Sequence, residues 1–271
     1  MPRSGTNFLA DALSKHPKVA RSPGQFWEYV PFRFQSSLEG YLAQVASSKH
    51  AHEFAPNEML SHFGNAWIDF LASEVSDRRL LVFKEPSIDG LASMFKMYAD
   101  CRSVIIVRDG RDIVSSALKS DFVLPPRQWT NRSHLRRFLP DEDFRILCRS
   151  FAKAARSLSD FLASEDAEHV QQRIYLVKYE DLVADPRNQL NEMMRWAELP
   201  PEEFDWEAFE SMPVRGSSFL RGDDGQHDFG TGVQRPKEGF QPTRRWENWS
   251  SRRKNYYQTV AGEVSKRLGY E

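Results

Sequence analysis

Three apolar runs along the chain are continuous rather than alternating with polar residues, and they span 79–83, 103–107 and 174–177. Runs of this kind and length are typical of parallel strands buried on both faces of a sheet. Strands separated by helices predict an α/β fold of three layers, in which a mostly parallel central sheet is flanked by helices. The segments with helical periodicity are 7–15, 60–74, 90–99, 111–119, 142–164, 186–198 and 252–268.

The chain is predicted to form one domain over residues 1–271, because neither a linker nor an internal repeat interrupts the pattern. Residues 216–242 are rich in glycine and polar side chains without apolar periodicity, which predicts a long surface loop that closes over a ligand. In open parallel sheets, ligands bind beyond the carboxyl ends of the strands. Functional residues are therefore expected where the apolar runs end.

The composition narrows the class of protein. The 271 residues are 40% hydrophobic and 13% aromatic, which is enough for a packed core. A total of 37 Lys and Arg against 38 Asp and Glu leaves a formal net charge of -1, so no overall basic field points to a nucleic-acid partner. The two cysteines exclude a disulfide framework, and no apolar run reaches the length of a membrane span. These features favour a cytoplasmic location.

The chain opens with the turn P-R-S-G-T-N at residues 2–7, which runs into an apolar helical pattern. Consecutive main-chain N–H groups at a helix N-terminus bind anions, and Gly5 lets the backbone approach the anion closely. The turn lacks the first glycine and the lysine of a Walker loop, which disfavours magnesium-dependent nucleotide chemistry. An ordinary helix cap formed by Ser4 or Thr6 is the alternative.

A second possible anion site follows the run at 103–107. Arg108 ends this predicted strand and Ser116 lies about two turns into the next helix, so a guanidinium and a hydroxyl can converge on one phosphate. The alternative is that Arg108 pairs with Asp109 or Asp112 and that Ser116 is an ordinary helix residue. The occurrence of two such sites at strand ends favours anion binding.

Together these motifs resemble those of the sulfotransferases that use 3′-phosphoadenosine 5′-phosphosulfate as donor. H-P at 16–17 is similar to the end of that family's first helix. The resemblance implies a P-loop NTPase-like sulfotransferase fold, in which the Y-E-D-L motif is architectural. The motifs occur in the expected order along almost the whole chain: P-R-S-G-T-N-F-L at 2–9, K-E-P at 84–86, Arg108 with Ser116, Y-E-D-L at 179–182 and T-R-R-W at 243–246.

The resemblance also implies which residues bind the donor. Arg3 would contact the transferring sulfonate and the bridging oxygen, and Lys84 would support charge on the transferring group. Asn7 departs from the family's usual hydroxyl residue but can donate through its amide. Phe8 matches an adenine-stacking position of some members, with a place in the core as the alternative. The 5′-phosphate would lie on Ser4, Gly5, Thr6 and Asn7, and the 3′-phosphate on Arg108, Ser116, Arg244 and Arg245, with Trp246 packing beneath the last two.

The implied reaction is in-line transfer of a sulfonate to an acceptor hydroxyl, with adenosine 3′,5′-bisphosphate leaving and no metal required. Glu28 is the nearest match to the family's catalytic base, with a surface carboxylate as the alternative, and Glu85, His50 and His52 are weaker candidates. The aromatic segment 26–34 either lines the acceptor site or belongs to the core. A saccharide or a small metabolite is the favoured acceptor, while phenols and lipids stay open.

Two other functions remain open, a P-loop-type small-molecule kinase and a non-catalytic nucleotide-binding protein. In the family the opening turn follows a central strand, whereas here Met1 comes one residue before the motif. We therefore expect that Met1 was originally internal and that the domain lacks its first β-strand.

Overall fold

The computed structural model of the protein describes residues 3–22, 31–47, 56–73, 80–88, 90–118, 141–212, 214–215, 234–235 and 241–271. Within those ranges, no helix combines the length and the apolar character needed to cross a membrane. The helices are α1 (Thr6–Leu13), α2 (Pro31–Ala46), α3 (Pro56–Ser73), α4 (Leu91–Met97), α5 (Gly110–Leu118), α6 (Glu142–Leu162), α7 (Glu165–His169), α8 (Tyr179–Ala184), α9 (Pro186–Trp196), α10 (Trp206–Glu210) and α11 (Ser251–Arg267). The strands are β1 (Val19–Arg21), β2 (Leu80–Val82), β3 (Ser103–Val107), β4 (Ile174–Lys178), β5 (Val214–Arg215) and β6 (Gln234–Arg235).

The described strands form three two-stranded sheets. β1 pairs with β2 and β3 pairs with β4, both in parallel, whereas β5 and β6 pair antiparallel. Each parallel pair joins strands that helices separate in sequence, as parallel pairing requires. The structure therefore confirms a mixed chain of helices and small parallel sheets, and the single three-layered central sheet stays a prediction.

β3 is buried on both faces, as its continuous apolar run predicted. Ile105 and Val107 lie in one hydrophobic core, and Ile106 lies in a second core, because successive side chains of a strand point to opposite faces. The end of β3, where Arg108 follows, is thus held from both sides.

The same prediction is wrong for the other two apolar runs. Leu80 of β2 is 45% exposed, and Leu176 of β4 is 50% exposed. On β4, Val177 is buried in the second core, whereas only Ile174 at the strand's start packs against the first core. A continuous apolar run does not say whether both faces of a strand are covered along its whole length.

The first core fixes α5 through α6 and α11. Phe144, Phe151 and Leu158 are spaced two helical turns apart on α6, so they share one face of that helix. Tyr257 and Val264 of α11 have the same spacing and belong to the same core. Apolar packing therefore sets where the N-terminus of α5 lies.

The second core fixes α1 against α8 and α9. Leu9 of α1 packs with Leu182 of α8 and Met193 of α9, and all three are buried. Phe8 lies edge-on to Tyr179, with ring centroids 6.4 Å apart, which fits the core alternative for Phe8.

α1 ends shortly before His16, as the H-P pair predicted. The His16 ring is buried, its Nδ1 accepts the N–H of Lys18 at 3.1 Å, and its Nε2 lies 3.0 Å from the Pro200 carbonyl. Because Nδ1 is an acceptor here, Nε2 carries the proton and donates. The imidazole thus fastens the end of α1 to the segment after α9.

Candidate active site

The opening turn packs directly against β3 and α8. Gly5 has a left-handed backbone with φ 104°, and a Cβ at this position would overlap the ring of Tyr179 and crowd Ile106. Glycine is therefore required here on two counts, backbone conformation and space. α1 begins at Thr6, directly after Gly5, so the positive end of its helix dipole lies at the opening turn, as in anion sites at helix N-termini.

Arg108 contacts the opening turn, as the anion-site interpretation required. Its guanidinium donates to the Arg3 carbonyl at 2.7 Å and to the Pro242 carbonyl, and it lies 4.4 Å from the centroid of the Tyr179 ring. Arg108 is only 5% exposed, and its Nε has no hydrogen-bond partner among the described residues. A buried donor without a partner costs folding free energy. The Arg108 Nε–H group is therefore positioned to donate a hydrogen bond to an acceptor atom of a ligand.

The predicted alternative for Arg108, an ion pair with a neighbouring aspartate, is not what the structure has. Asp109 instead pairs with Arg111, with Nε and Nη2 of the arginine lying 2.7–3.0 Å from the two carboxylate oxygens. Asp112 accepts hydrogen bonds from main-chain groups. The positive charge of Arg108 is therefore directed at carbonyls and at an aromatic ring.

Arg3 links the opening turn to α5. Its carbonyl accepts from Arg108, and its own guanidinium donates to the Ser116 carbonyl at 3.3 Å. Arg3 also has a left-handed backbone, with φ 70°. The structure thus brings the turn, the strand end and Ser116 to one place, although the contact to Ser116 uses its carbonyl and not its hydroxyl.

Lys84 and Asn7, predicted separately, contact one another. Lys84 is 5% exposed, and its Nζ donates to Asn7 Oδ1 at 2.6 Å. Lys84 is therefore not a lysine that extends from a strand end to solvent, which was the alternative. The side-chain oxygen of Asn7 accepts this hydrogen bond at the position where the resemblance expects a hydroxyl residue.

The late basic segment 241–246 folds onto the N-terminus of α5. The N–H groups of Arg244 and Arg245 donate to the two oxygens of Asp112 at 2.8 and 2.6 Å. Nε of Arg245 donates to the Gln241 carbonyl at 2.6 Å, which closes the segment on itself.

Trp246, which was predicted to pack beneath the two late arginines, contacts cations of α5 and α11. Its ring lies beneath Arg111, whose Cζ is 3.8 Å from the ring centroid, and Lys254 Nζ is 5.5 Å from the same centroid. The physical reason is that the bidentate pair with Asp109 holds the Arg111 guanidinium flat above the indole, where a cation and an aromatic face attract.

Burial raises the pKa of two side chains of the candidate site, Tyr179 and Asp112. The Tyr179 phenol has a pKa above its usual range because it is desolvated, although the positive charges of Arg108 and Arg245 oppose the shift. The Asp112 carboxyl also has a raised pKa because of burial, against which its two main-chain hydrogen bonds and the Arg108 charge act. Both arginines therefore lie close enough to Tyr179 for their charges to act on its phenol.

Several predicted site residues lie outside the described part of the chain. These are Glu28, His50 and His52, residues 26–30 of the aromatic segment, and most of the loop 216–242. Glu85 is described, and its carboxylate accepts the N–H of Ser87 at 2.8 Å. Across the described ranges, no three His, Cys, Asp or Glu side chains are grouped so as to hold a metal ion.

Sequence reasoning missed Asp112 and Arg111 as parts of this site. Asp112 lies four residues before Ser116 on α5, which is one helical turn, so a shared helix face was a usable signal. Glu180 was placed in an architectural motif, and the structure gives the reason: it accepts the Asp109 N–H at 3.0 Å and the Tyr270 phenol at 2.7 Å.

Comparison with known proteins identifies the class. A family model described as Sulfotransferase family matches residues 1–203. The chain therefore belongs to the sulfotransferase family, and the protein is a sulfotransferase enzyme. Segment 241–246 lies beyond the matched range. Comparison with curated protein sequences finds no match.

Two solved structures have a similar fold. The sulfotransferase domain from the curacin biosynthetic pathway has a TM-score of 0.56 at 19% sequence identity, over 100% of this chain and 95% of that domain. The sulfotransferase domain from the Synechococcus PCC 7002 olefin synthase has a TM-score of 0.51 at 18% identity, over 100% of this chain and 92% of that one. At these identities the likeness concerns the fold alone.

Proposed function

We propose that the protein transfers a sulfonate from 3′-phosphoadenosine 5′-phosphosulfate to an acceptor hydroxyl, on a P-loop-like fold with one central sheet. The observation that carries the donor assignment is the position of Arg108. It is buried against the opening turn and retains a donor nitrogen with no partner among the described residues. Arg108 belongs to the predicted 3′-phosphate site and also contacts the opening turn, which is the predicted 5′-phosphate site. Two adjacent anion sites suit a donor that carries phosphate groups at both its 3′ and 5′ positions.

The residues present fit this donor. The N–H groups at the start of α1, with Gly5 beneath them, would hold the 5′-phosphate by main-chain hydrogen bonds and the helix dipole. Arg108, Ser116 and the segment carrying Arg244 and Arg245 would hold the 3′-phosphate by charge-assisted hydrogen bonds.

Two cations would stabilise the transfer itself. The donor supplies an activated sulfonate whose departure leaves negative charge on the phosphate oxygen. Arg3 belongs to the opening turn and Lys84 contacts Asn7 of the same turn, so their charges would offset that charge as it develops. Asn7 would orient the Lys84 ammonium through the 2.6 Å hydrogen bond. Glu28 is the proposed base that accepts the hydroxyl proton of the acceptor.

A small biosynthetic metabolite is the acceptor that we favour over a saccharide. One structural neighbour is named for the curacin biosynthetic pathway and the other for an olefin synthase, and this preference rests on those names. A P-loop kinase is less consistent with the chain, because it belongs to the sulfotransferase family and its opening turn has no lysine before a hydroxyl residue.

Ligand-dependent thermal unfolding tests the donor. Adenosine 3′,5′-bisphosphate at 100 times its Kd should raise the free energy of unfolding by about 2.7 kcal/mol. Adenosine 5′-phosphate should do so only at much higher concentration, and ATP with magnesium should have little effect. Arg108→Gln should remove most of the preference for the bisphosphate. Stabilisation by ATP with magnesium alone would overturn the proposal.

A further inference from the structure

We propose that Asp112 is a positioning residue that builds the 3′-phosphate site by fixing the main chain of segment 241–246. The inference rests on the proposed function and deepens it. Asp112 is 1% exposed and lies on α5, and both of its carboxylate oxygens accept main-chain N–H groups of this segment. It holds the backbone of the two arginines through these two main-chain hydrogen bonds.

The two hydrogen bonds require a carboxylate. The N–H groups of Arg244 and Arg245 arrive on different oxygens, Oδ2 and Oδ1. An asparagine has one carbonyl oxygen and one NH2 group, so the second N–H would face another donor. The two hydrogen bonds from the main chain of Arg244 and Arg245 to Asp112 thus form a clamp on the segment. The isosteric change Asp112→Asn breaks this clamp without changing the volume of the side chain.

The backbone conformation of Arg244 is strained and needs a contact that stabilises it. Its φ is 59°, in the left-handed region that non-glycine residues avoid. Such a conformation persists only where surrounding contacts enforce it. The N–H of the strained residue itself is bound to Asp112 at 2.8 Å, so the carboxylate holds the turn in this conformation.

Neighbouring contacts make the clamp part of one unit with Arg108. The Arg108 guanidinium donates to the carbonyl of Pro242, and Arg111 covers the ring of Trp246. The first turn of α5 and Arg108, two residues before that helix, thus bind both ends of the segment, with Asp112 between these contacts. Loss of Asp112 should release the late arginines while Arg108 and the opening turn stay in place.

The test compares two nucleotides that differ only in the 3′-phosphate. Calorimetric Kd values for adenosine 3′,5′-bisphosphate and adenosine 5′-phosphate are measured with wild type, Asp112→Asn and the control Asp141→Asn. Asp141 precedes α6, pairs with Arg253, and has a left-handed backbone that asparagine also adopts. In Asp112→Asn the ratio of the two Kd values should fall about tenfold, since a hydrogen bond to a charged group is lost. In Asp141→Asn it should not change.

Kinetics separate positioning from general weakening. In Asp112→Asn the KM for the donor should rise about tenfold, while kcat at saturating donor changes by less than about threefold. A fall in melting temperature with an unchanged Kd ratio would mean a purely structural role and would overturn the inference. If wild type itself fails to prefer the bisphosphate, the proposed function falls, and the clamp assignment with it.

Hydrogen exchange on wild type keeps the inference testable even if the variant does not fold. The amides of Arg244 and Arg245 belong to a turn outside any helix or sheet, and such amides normally exchange quickly. Bound to a buried carboxylate, they should exchange at least tenfold more slowly than the amide of Asn248, an exposed residue of the same turn whose N–H makes no hydrogen bond among the described residues. Equal rates at all three amides would contradict the clamp.

Discussion

The two halves of the candidate donor site are built in different ways. The opening turn is local: its geometry depends on consecutive residues around Gly5, and its anion-binding groups are main-chain N–H groups of the same helix. The other half is assembled from distant parts of the chain, since Asp112 and Arg244 are 132 positions apart in sequence. The local half depends on steric fit and the distant half on a few directed hydrogen bonds, so different substitutions should disable them.

The largest effect is expected at Gly5. In Gly5→Ala the methyl group overlaps the Tyr179 ring, and alanine disfavours φ 104°. Overpacking and backbone strain together should lower the free energy of unfolding by roughly 2–5 kcal/mol and abolish measurable donor binding. Urea denaturation and calorimetry measure the two effects.

Gly40→Ala on α2 is the matched control for this change. Nothing lies within 4 Å of a Cβ added there, so helix propensity alone acts and the free energy of unfolding should rise by up to about 1 kcal/mol. If Gly5→Ala behaves like Gly40→Ala, the opening turn is not limited by space, and the contrast between the two halves fails.

The second prediction separates chemistry from recognition. Lys84 reaches the opening-turn half through its 2.6 Å hydrogen bond to Asn7 Oδ1. Lys84→Met should therefore lower kcat about 10²-fold to 10³-fold, because a cation near the leaving oxygen is lost. The Kd of adenosine 3′,5′-bisphosphate should change by less than about fivefold. Single-turnover kinetics and calorimetry test this, and an equal loss in both quantities would place Lys84 in binding instead.

The contrast between the halves also explains what could be predicted from sequence. The opening turn and β3 were predictable because their determinants are contiguous: Gly5 with its following helix, and an apolar run that ends at Arg108. The partners of Asp112 and Trp246 were not, because side-chain pairing across more than 100 positions depends on tertiary packing. The sequence did not predict that the Asp109 and Arg111 pair lies above the Trp246 ring.

The solvent exposure of the strands was a second feature that could not be predicted from the sequence. Leu176 and Ile105 belong to equally apolar runs and lie opposite one another in the β3 and β4 pair, yet only Ile105 is buried. Which strand receives a helix on both faces is decided by the path of the chain and not by the composition of the strand.

A smaller effect on the free energy of unfolding is expected at Tyr270, which supports the distant half of the site through Glu180. Its phenol donates to Glu180 at 2.7 Å, and the other oxygen of Glu180 holds the Asp109 N–H directly after Arg108. Tyr270→Phe should lower the free energy of unfolding by about 1–2 kcal/mol, since a hydrogen bond to a carboxylate is lost. The preference for the bisphosphate should persist, because Arg108 keeps its own contacts.

Tyr256→Phe is the control for Tyr270→Phe. The Tyr256 phenol accepts from Arg149 at 3.1 Å in an exposed position, so its removal should change the free energy of unfolding by less than about 0.5 kcal/mol. A larger loss at Tyr256 than at Tyr270 would contradict an architectural role for Glu180.

The smallest predicted effect is a pH dependence whose sign differs between two aspartates. Burial raises the pKa of Asp112 above the unfolded value of 3.8, so its contribution to stability is fully present below pH 3.8 and is lost as the pH rises through the folded pKa. The hydrogen bond from Arg253 lowers the pKa of Asp141, so its contribution is present above pH 3.8 and is lost as the pH falls through the folded pKa. The difference in free energy of unfolding between wild type and Asp112→Asn should therefore decrease with rising pH, and that for Asp141→Asn should increase. Urea denaturation from pH 3 to 7 measures both slopes. Slopes of the same sign would mean that the main-chain hydrogen bonds to Asp112 outweigh its burial, and the clamp would then be stronger than its desolvation implies.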